Sequence, residues 1–280
     1  MEFFSGRTLL IATKHGKEMA IAPLMERALR VKCVVAKDFD SDVFGTFSGE
    51  VPRENSPLET ARNKCMAAMK QEGADLCIAS EGSFGPHPLI PFAYCDEEWL
   101  LMKDMLHGLE FSHCEISPET NFDAREIVSE RDLKEFAKKV RFPEHALILR
   151  PGEKNYNDMA KGVQSESMLL SVFRSIISKY GTCYVETDMR AHLNPTRMKV
   201  IARATEQLVL KLQKLCPVCG TPGFGVTRVN PGLPCELCGN PTASTLSYTL
   251  FCQKCKHEQT QLYPRGKQTE EARFCNWCNP

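Results

Sequence analysis

"ADLCIASEGSFGPHP", Ala74–Pro88, decides how this chain is read. Its first half is a short apolar run of the kind that fills a buried strand. An acid, two glycines and two prolines follow, where such a strand is expected to end. Upstream, "SPLE" (56–59) carries three helix-start signals together: a Ser cap, Pro at the first helical position and Glu at the third. A helix to about Gln71 therefore leads into the strand. Downstream, the runs 98–105 and 109–117 flank His107-Gly108 like an antiparallel hairpin.

The same alternation extends both ways. "RTLLIAT" (7–13) and "VKCVVA" (31–36) read as strands around a helix over 17–30. Further on come a helix from about Ser129, a strand at "HALILR" (145–150), a helix from Ser165 to Tyr180 closed by Gly181, a strand at "TCYVET", and a helix from about Thr196 to Leu215. This order predicts an α/β fold with a mixed, largely parallel sheet flanked by helices over residues 1–213. Residues 214–280 form a separate zinc-binding module.

That module rests on cysteine spacing. Of 14 cysteines, eight form four C-x-x-C pairs: Cys216/Cys219, Cys235/Cys238, Cys252/Cys255 and Cys275/Cys278. Four such knuckles supply two tetrahedral thiolate sites and hence two structural Zn2+ ions with no open coordination position. Sequential, nested and interleaved pairings all satisfy the ligand count; sequential is the expected one. From Lys211 onward eight Lys or Arg face four Asp or Glu, an excess that two filled four-thiolate sites would cancel. Docking to protein or nucleic acid is the partner class such a module allows, and a small stabilising module is its simplest use.

Thirty-five basic and 35 acidic residues cancel, so no overall field recruits nucleic acid or an anionic membrane. No apolar run reaches the roughly 18 residues needed to span a bilayer, and "MEFFSGR" has no signal-peptide pattern. A cytoplasmic protein without a membrane partner is expected.

Four polar segments follow predicted strands: "ATKHGKE", "ASEGSFGPHP", "RPGEKN" and "ETDMRAHLNPTRM". In a parallel sheet all four meet on one rim, the usual place for a ligand. In "TKHGK", a hydroxyl, Gly16 and Lys17 open a helix in a way suited to an anion. Arg190, His192 and Asn194 form a polar cluster that reads equally as a ligand contact or as a self-stabilising loop. Glu59 has the capping box as its competing role, Asp188 a turn cap, Glu50 a solvated loop, and His87 a rigid turn between prolines.

"LLIATKHGKE", "SPLETARNKCMAAM" and "GADLCIASEG" together resemble the inosine triphosphatase-like superfamily of non-canonical purine nucleoside triphosphate pyrophosphatases over about the first 120 residues. The whole chain also looks like a poorly characterised group of bacterial proteins of unknown activity. The superfamily resemblance implies that Thr13 and Lys17 touch phosphates, that Arg62 and Lys64 are the basic helix positions, and that Glu81 holds Mg2+ (or Mn2+). It also implies a phosphate or base contact for Arg197. The expected function is Mg2+-dependent hydrolysis of a nucleotide or related phosphate compound, with Glu81, Glu59 and Lys17 as catalytic groups. Thr13, His15, Lys64, Arg190, His192, Asn194 and Arg197 would bind substrate. The alternative is a non-enzymatic nucleotide-binding or regulatory protein whose zinc module recruits a macromolecule.

Overall fold

A computed structural model describes residues 2–90 and 93–280. The chain divides into two compact units, Met1–Leu208 and Val209–Pro280, a few residues before the expected boundary.

The first unit runs β1 (Thr8–Ile11), α1 (Glu18–Leu29), β2 (Lys32–Val35), α2 (Pro57–Glu72), β3 (Leu76–Pro86), β4 (Tyr94–Asp104), β5 (Leu109–Ser117), β6 (Ala124–Ile127), α3 (Glu130–Lys139), β7 (Leu147–Arg150), β8 (Ala160–Val163), α4 (Glu166–Tyr180), β9 (Cys183–Thr187) and α5 (Pro195–Leu212), the last crossing the division. Helix starts follow their serines. Ser56, Ser129 and Ser165 accept hydrogen bonds from the N–H groups of Glu59, Asp132 and Met168. Gly73 and Gly181 end α2 and α4 in left-handed backbone.

The strands form two sheets, ordered β2-β1-β3-β4-β5 and β6-β9-β7-β8. Only β1–β2 and β1–β3 are parallel; β3–β4–β5 is antiparallel, and so is every ladder of the second sheet. The expected largely parallel sheet is therefore corrected to a mixed one. The reason is the four-residue β8: it turns the chain back before α4, so β9 returns antiparallel to β7 instead of completing a crossover unit.

A second correction concerns the opening stretch. Gly82 and Gly85 do not end β3, which continues paired with β4 as far as Pro86↔Tyr94. Glu81 thus sits in mid-strand, opposite Trp99. On its face of the sheet, small residues of α2 (Ala61, Cys65, Ala68) pack against Cys77, Ala79 and Leu101. The alternate face carries Ser80, Gly82 and Glu98, and there Arg197 of α5 meets Glu98. The second sheet buries its odd-numbered residues Leu147, Leu149, Cys183 and Val185 against α3 and α4, with Leu133, Phe136, Leu169 and Phe173.

The second unit holds an antiparallel sheet of β10 (Gly225–Pro231), β11 (Thr245–Phe251) and β12 (Glu258–Leu262). Its buried face is polar: Thr245, Ser247 and Thr249 alternate inward on β11, and Asn230 donates to the Ser247 and Thr249 hydroxyls. The apolar cluster consists of Phe224 with Cys216 and Cys252, packed by Leu250. No helix among the described residues is long and apolar enough to cross a membrane.

Candidate functional sites: a charged pocket and two four-cysteine centres

The pocket exists because β1 is short. Its pairing with β3 ends at Ile11↔Ile78, and the Ala12 N–H makes one more bond to the Ile78 carbonyl at 2.9 Å. From Ser80 onward the β1-side edge of β3 is open, and the turn 13–17 lies against it. Gly16 there has φ +72°, a conformation that favours glycine, and a Cβ would make a tight 3.2 Å contact with the His192 Cβ. The Thr13 hydroxyl accepts from the His15 N–H at 3.3 Å. Lys17 turns inward and uses its three donors on the Ser80 carbonyl (2.9 Å), the Ser80 hydroxyl (2.8 Å) and Glu98 (3.4 Å). Full burial pulls its pKa down to about 8, against the opposing pull of Glu98.

Glu81 enters from the α2 face. Its two oxygens receive Arg53 Nη2 and Lys64 Nζ, each at 2.5 Å. Burial alone would raise its pKa, but Lys64, Lys17 and Arg53 outweigh that and hold it below the usual range. Asp42 accepts from His15 Nε2 at 2.9 Å, and the imidazole pKa is nonetheless lowered because burial outweighs the carboxylate. Arg190 forks onto Asp188, with Nη2 to Oδ2 at 2.6 Å, while the Gly162 N–H donates to the same oxygen. Lys161 pairs with Glu50. Thr13, His15, Lys17, Lys64, Glu81 and Arg190 therefore line one pocket, with Asp42, Lys161 and Asp188. Its free volume is only about 60 Å³, because these side chains reach across it to one another.

Other expected site residues lie elsewhere. Glu59 is exposed and bonds the Ser56 hydroxyl at 3.0 Å as part of the α2 cap. Arg62 pairs with Glu110. Arg197 is fully buried: it bonds Glu98 and the Met189 carbonyl and lies over the Phe47 ring at 4.4 Å. Asn194 caps α5, its Oδ1 accepting from the Arg197 N–H at 3.0 Å. His192 stacks on His15 with centroids 5.4 Å apart. The His87 Nδ1 accepts the Leu89 N–H within its own turn.

Sequence reasoning missed Glu98, a fully buried acid that meets Lys17 and Arg197. Its signal was present: Asp96, Glu98, Leu100, Met102 and Asp104 alternate onto one buried face of β4. Gly82 lets that cluster form, since a Cβ there would lie 2.5 Å from Glu98 Oε2 and 2.6 Å from Arg197 Nη2. Its role is close packing of an ion pair, not approach to a ligand. Asp42 and Lys161 carried no comparable signal, each lying in a long polar connection or a very short strand.

As for Mg2+, no group of three His, Cys, Asp or Glu donors gathers among the described residues outside the eight zinc-type cysteines. The pocket's carboxylates, Glu81, Asp42 and Asp188, are instead each engaged by basic side chains: Lys64 and Arg53, His15, and Arg190.

In the second unit, Cys216, Cys219, Cys252 and Cys255 form one group and Cys235, Cys238, Cys275 and Cys278 the other. The expected sequential pairing is corrected to an interleaved one. Sγ–Sγ separations are 3.6 Å for Cys216–Cys255 and Cys219–Cys252, 3.9 Å for Cys235–Cys278 and 3.7 Å for Cys238–Cys275. A disulfide needs about 2.05 Å, whereas four sulfurs about 2.3 Å from one Zn2+ stand about 3.8 Å apart. Both groups can hold zinc. Each knuckle turns alike: the N–H groups of Gly220, Gly239, Lys256 and Asn279 return to the carbonyls of Cys216, Cys235, Cys252 and Cys275.

No curated protein matches the chain. A solved structure described as protein VC0702 from Vibrio cholerae is similar at 12% identity and a TM-score of 0.34, over 73% of this chain and 94% of that one. One family model matches residues 64–280, most of the chain from the middle of α2 onward and including all eight knuckle cysteines, and on that match the protein belongs to the family described as Domain of unknown function (DUF6671).

Proposed function

We propose that the first unit binds a phosphate-bearing ligand of the nucleotide class in the charged pocket and hydrolyses it with Mg2+. The observation that carries this reading is the convergence of Lys17, Lys64, Lys161 and Arg190, from four separate segments of the chain, on one cleft at the end of β1. Cations from several elements aimed at one space are what a multiply charged phosphate requires. The resemblance of the first 120 residues to inosine triphosphatase-like enzymes points the same way.

In the free protein the acids neutralise these cations. A phosphate would exchange partners with them, taking Lys64 and Arg190 while Glu81 turned to the metal that the phosphates bring. Mg2+, when bound, would neutralise charge on the phosphates. Lys64 and Arg190 would hold the ligand, and Lys17, fixed by Ser80 and Glu98, would supply a positive field without leaving its place.

The test is pyrophosphate and phosphate release from a nucleoside triphosphate panel with Mg2+ or Mn2+. Lys64→Met is expected to slow turnover on the order of 100-fold and Glu81→Gln to abolish it. Glu59→Gln, altered only at a helix cap, should retain it. Turnover surviving Glu81→Gln would remove Glu81 from the site.

A second reading has its own support. Glu81 belongs to no three-donor group among the described residues, and Leu237 and Trp277 at the knuckle tips are each 74% exposed. These features suit a nucleotide-binding regulatory protein whose zinc module recruits a macromolecule. Saturable nucleotide binding without turnover would select it.

A further inference from the structure

Beside the charged pocket lies a second cavity of about 260 Å³. The two adjoin, sharing Thr46, Phe47, Ser48 and Ile148 as walls. Its volume is just under the roughly 300 Å³ at which sites for whole drug-sized ligands begin. It suits one ring system, not an entire nucleotide.

The walls are of two kinds. Phe47, Phe84 and Phe122 form an aromatic series, with centroids 5.4 Å apart for the first pair and 5.6 Å for the second. Two polar groups with unmet bonding capacity line the same cavity. Glu186 Oε1 and Arg53 Nε are buried and have no hydrogen-bond partner, although Glu186 Oε2 receives Arg150 Nη2 at 3.1 Å and Arg53 Nη2 holds Glu81. Most buried polar atoms are paired, and an orphan on a cavity wall calls for an explanation. β9 aims Glu186 at this cavity because its odd residues, Cys183 and Val185, fill the helix-backed core, leaving the even ones on the open face with Ile148 of β7.

We propose that this cavity receives a planar aromatic ring carried by the phosphate-bearing ligand, and that Glu186, through its unpartnered oxygen, selects a ring with an N–H donor on its edge. The inference rests on the reading of the charged pocket as a phosphate site. The phenylalanines supply stacking, which accepts any flat ring. Glu186 supplies discrimination, since a site built to accept a hydrogen bond disfavours a ring that cannot donate one.

The test uses the full chain, equilibrium titrations, and five probes. These are inorganic triphosphate; uridine triphosphate and its N3-methyl analogue; and adenosine triphosphate and its N6,N6-dimethyl analogue. Each analogue replaces the edge N–H of its parent with N-methyl, and the Glu186 variant separates the lost donor from the added bulk. At least one parent nucleotide is expected to bind about tenfold or more tighter than triphosphate and about tenfold tighter than its methylated analogue. Glu186→Gln, whose amide oxygen Arg150 claims so that an NH2 donor faces the ring, should erase the second difference, and Phe122→Leu should shrink the first, both with triphosphate affinity unchanged. Equal binding of triphosphate and all nucleotides would overturn the ring site while leaving the phosphate site standing. A donor preference that survives Glu186→Gln, or none in either pair, would overturn the role of Glu186. Failure of all five probes to bind would overturn the phosphate reading and this inference with it.

Discussion

Replacing Cys216 and Cys252 together with serine is expected to leave one tightly held zinc per chain, whereas replacing Cys216 and Cys235 together leaves none. The contrast follows from the interleaved groups, in which Cys216 shares a site with Cys252 and Cys235 belongs to the other. Sequential pairing predicts the reverse in both cases, so zinc content after exhaustive dialysis decides between them. The effect on folding should be large. The second unit has an apolar cluster built from Phe224 and Leu250 with two of the cysteines themselves, and a sheet face lined by Thr245, Ser247 and Thr249. A small unit with so little apolar burial needs an external staple. Structural zinc provides about 10–16 kcal/mol of binding free energy at neutral pH, which becomes folding free energy where no site exists in the unfolded chain. Strong chelators are expected to abolish the amide protection of β10–β12 while that of β3 and β4 persists.

Arg197→Met is expected to destabilise the first unit by about 3–5 kcal/mol. Glu98 and Arg197 are both buried at the crossing of β4 and α5, joined by Nε–Oε2 at 3.1 Å and Nη2–Oε2 at 3.0 Å. Methionine matches much of the arginine's length but leaves Glu98 charged, with Lys17 at 3.4 Å as its remaining ion-pair partner. Neighbouring Asp96 makes the outcome asymmetric. Burial, and then the charge of Glu98, push its pKa up to about 8, so at neutral pH it stays largely protonated and spares the cluster a second negative charge. Arg197 also covers the Phe47 and Phe84 rings, so its loss should weaken ligand binding as well as stability. Urea denaturation followed by a first-unit probe gives the stability change. A loss below 1 kcal/mol would show that the ion pair is readily replaced by packing.

Local signals carried most of the helices. Ser56, Ser129 and Ser165 mark their starts and Gly181 an end, because capping is decided within one turn of chain. The strands were less legible where tertiary pairing overrides local chemistry. In β3 the acid and glycines after Ala79 read as a strand end, yet the register with β4 carries the strand through them. β6 and β8, "AREI" and "AKGV", have too few residues to show a period, and missing β8 is what made the sheet seem largely parallel. In the pocket, Thr13, His15, Lys17, Lys64, Glu81 and Arg190 were identified from strand ends and motif resemblance. Asp42 and Lys161 were not, because only the folded chain brings their polar connections over the end of β1. Arg197, for which the resemblance implied a phosphate or base contact, is held in the fold by Glu98, its alternation-matched partner on β4. The knuckle spacing disclosed the ligands and their number. Pairing depends on the path of β10–β12 between them, which no spacing specifies.

The proposal that the charged pocket binds phosphate is tested most directly by equilibrium titration of the full chain with inorganic triphosphate, repeated with Lys64→Met and Lys161→Ala, each checked for an unchanged melting profile. One saturable site per chain is predicted, weakened about tenfold by Lys64→Met and less by Lys161→Ala, whose ammonium is more exposed than that of Lys64. Absence of saturable binding, or binding untouched by both substitutions, would contradict it.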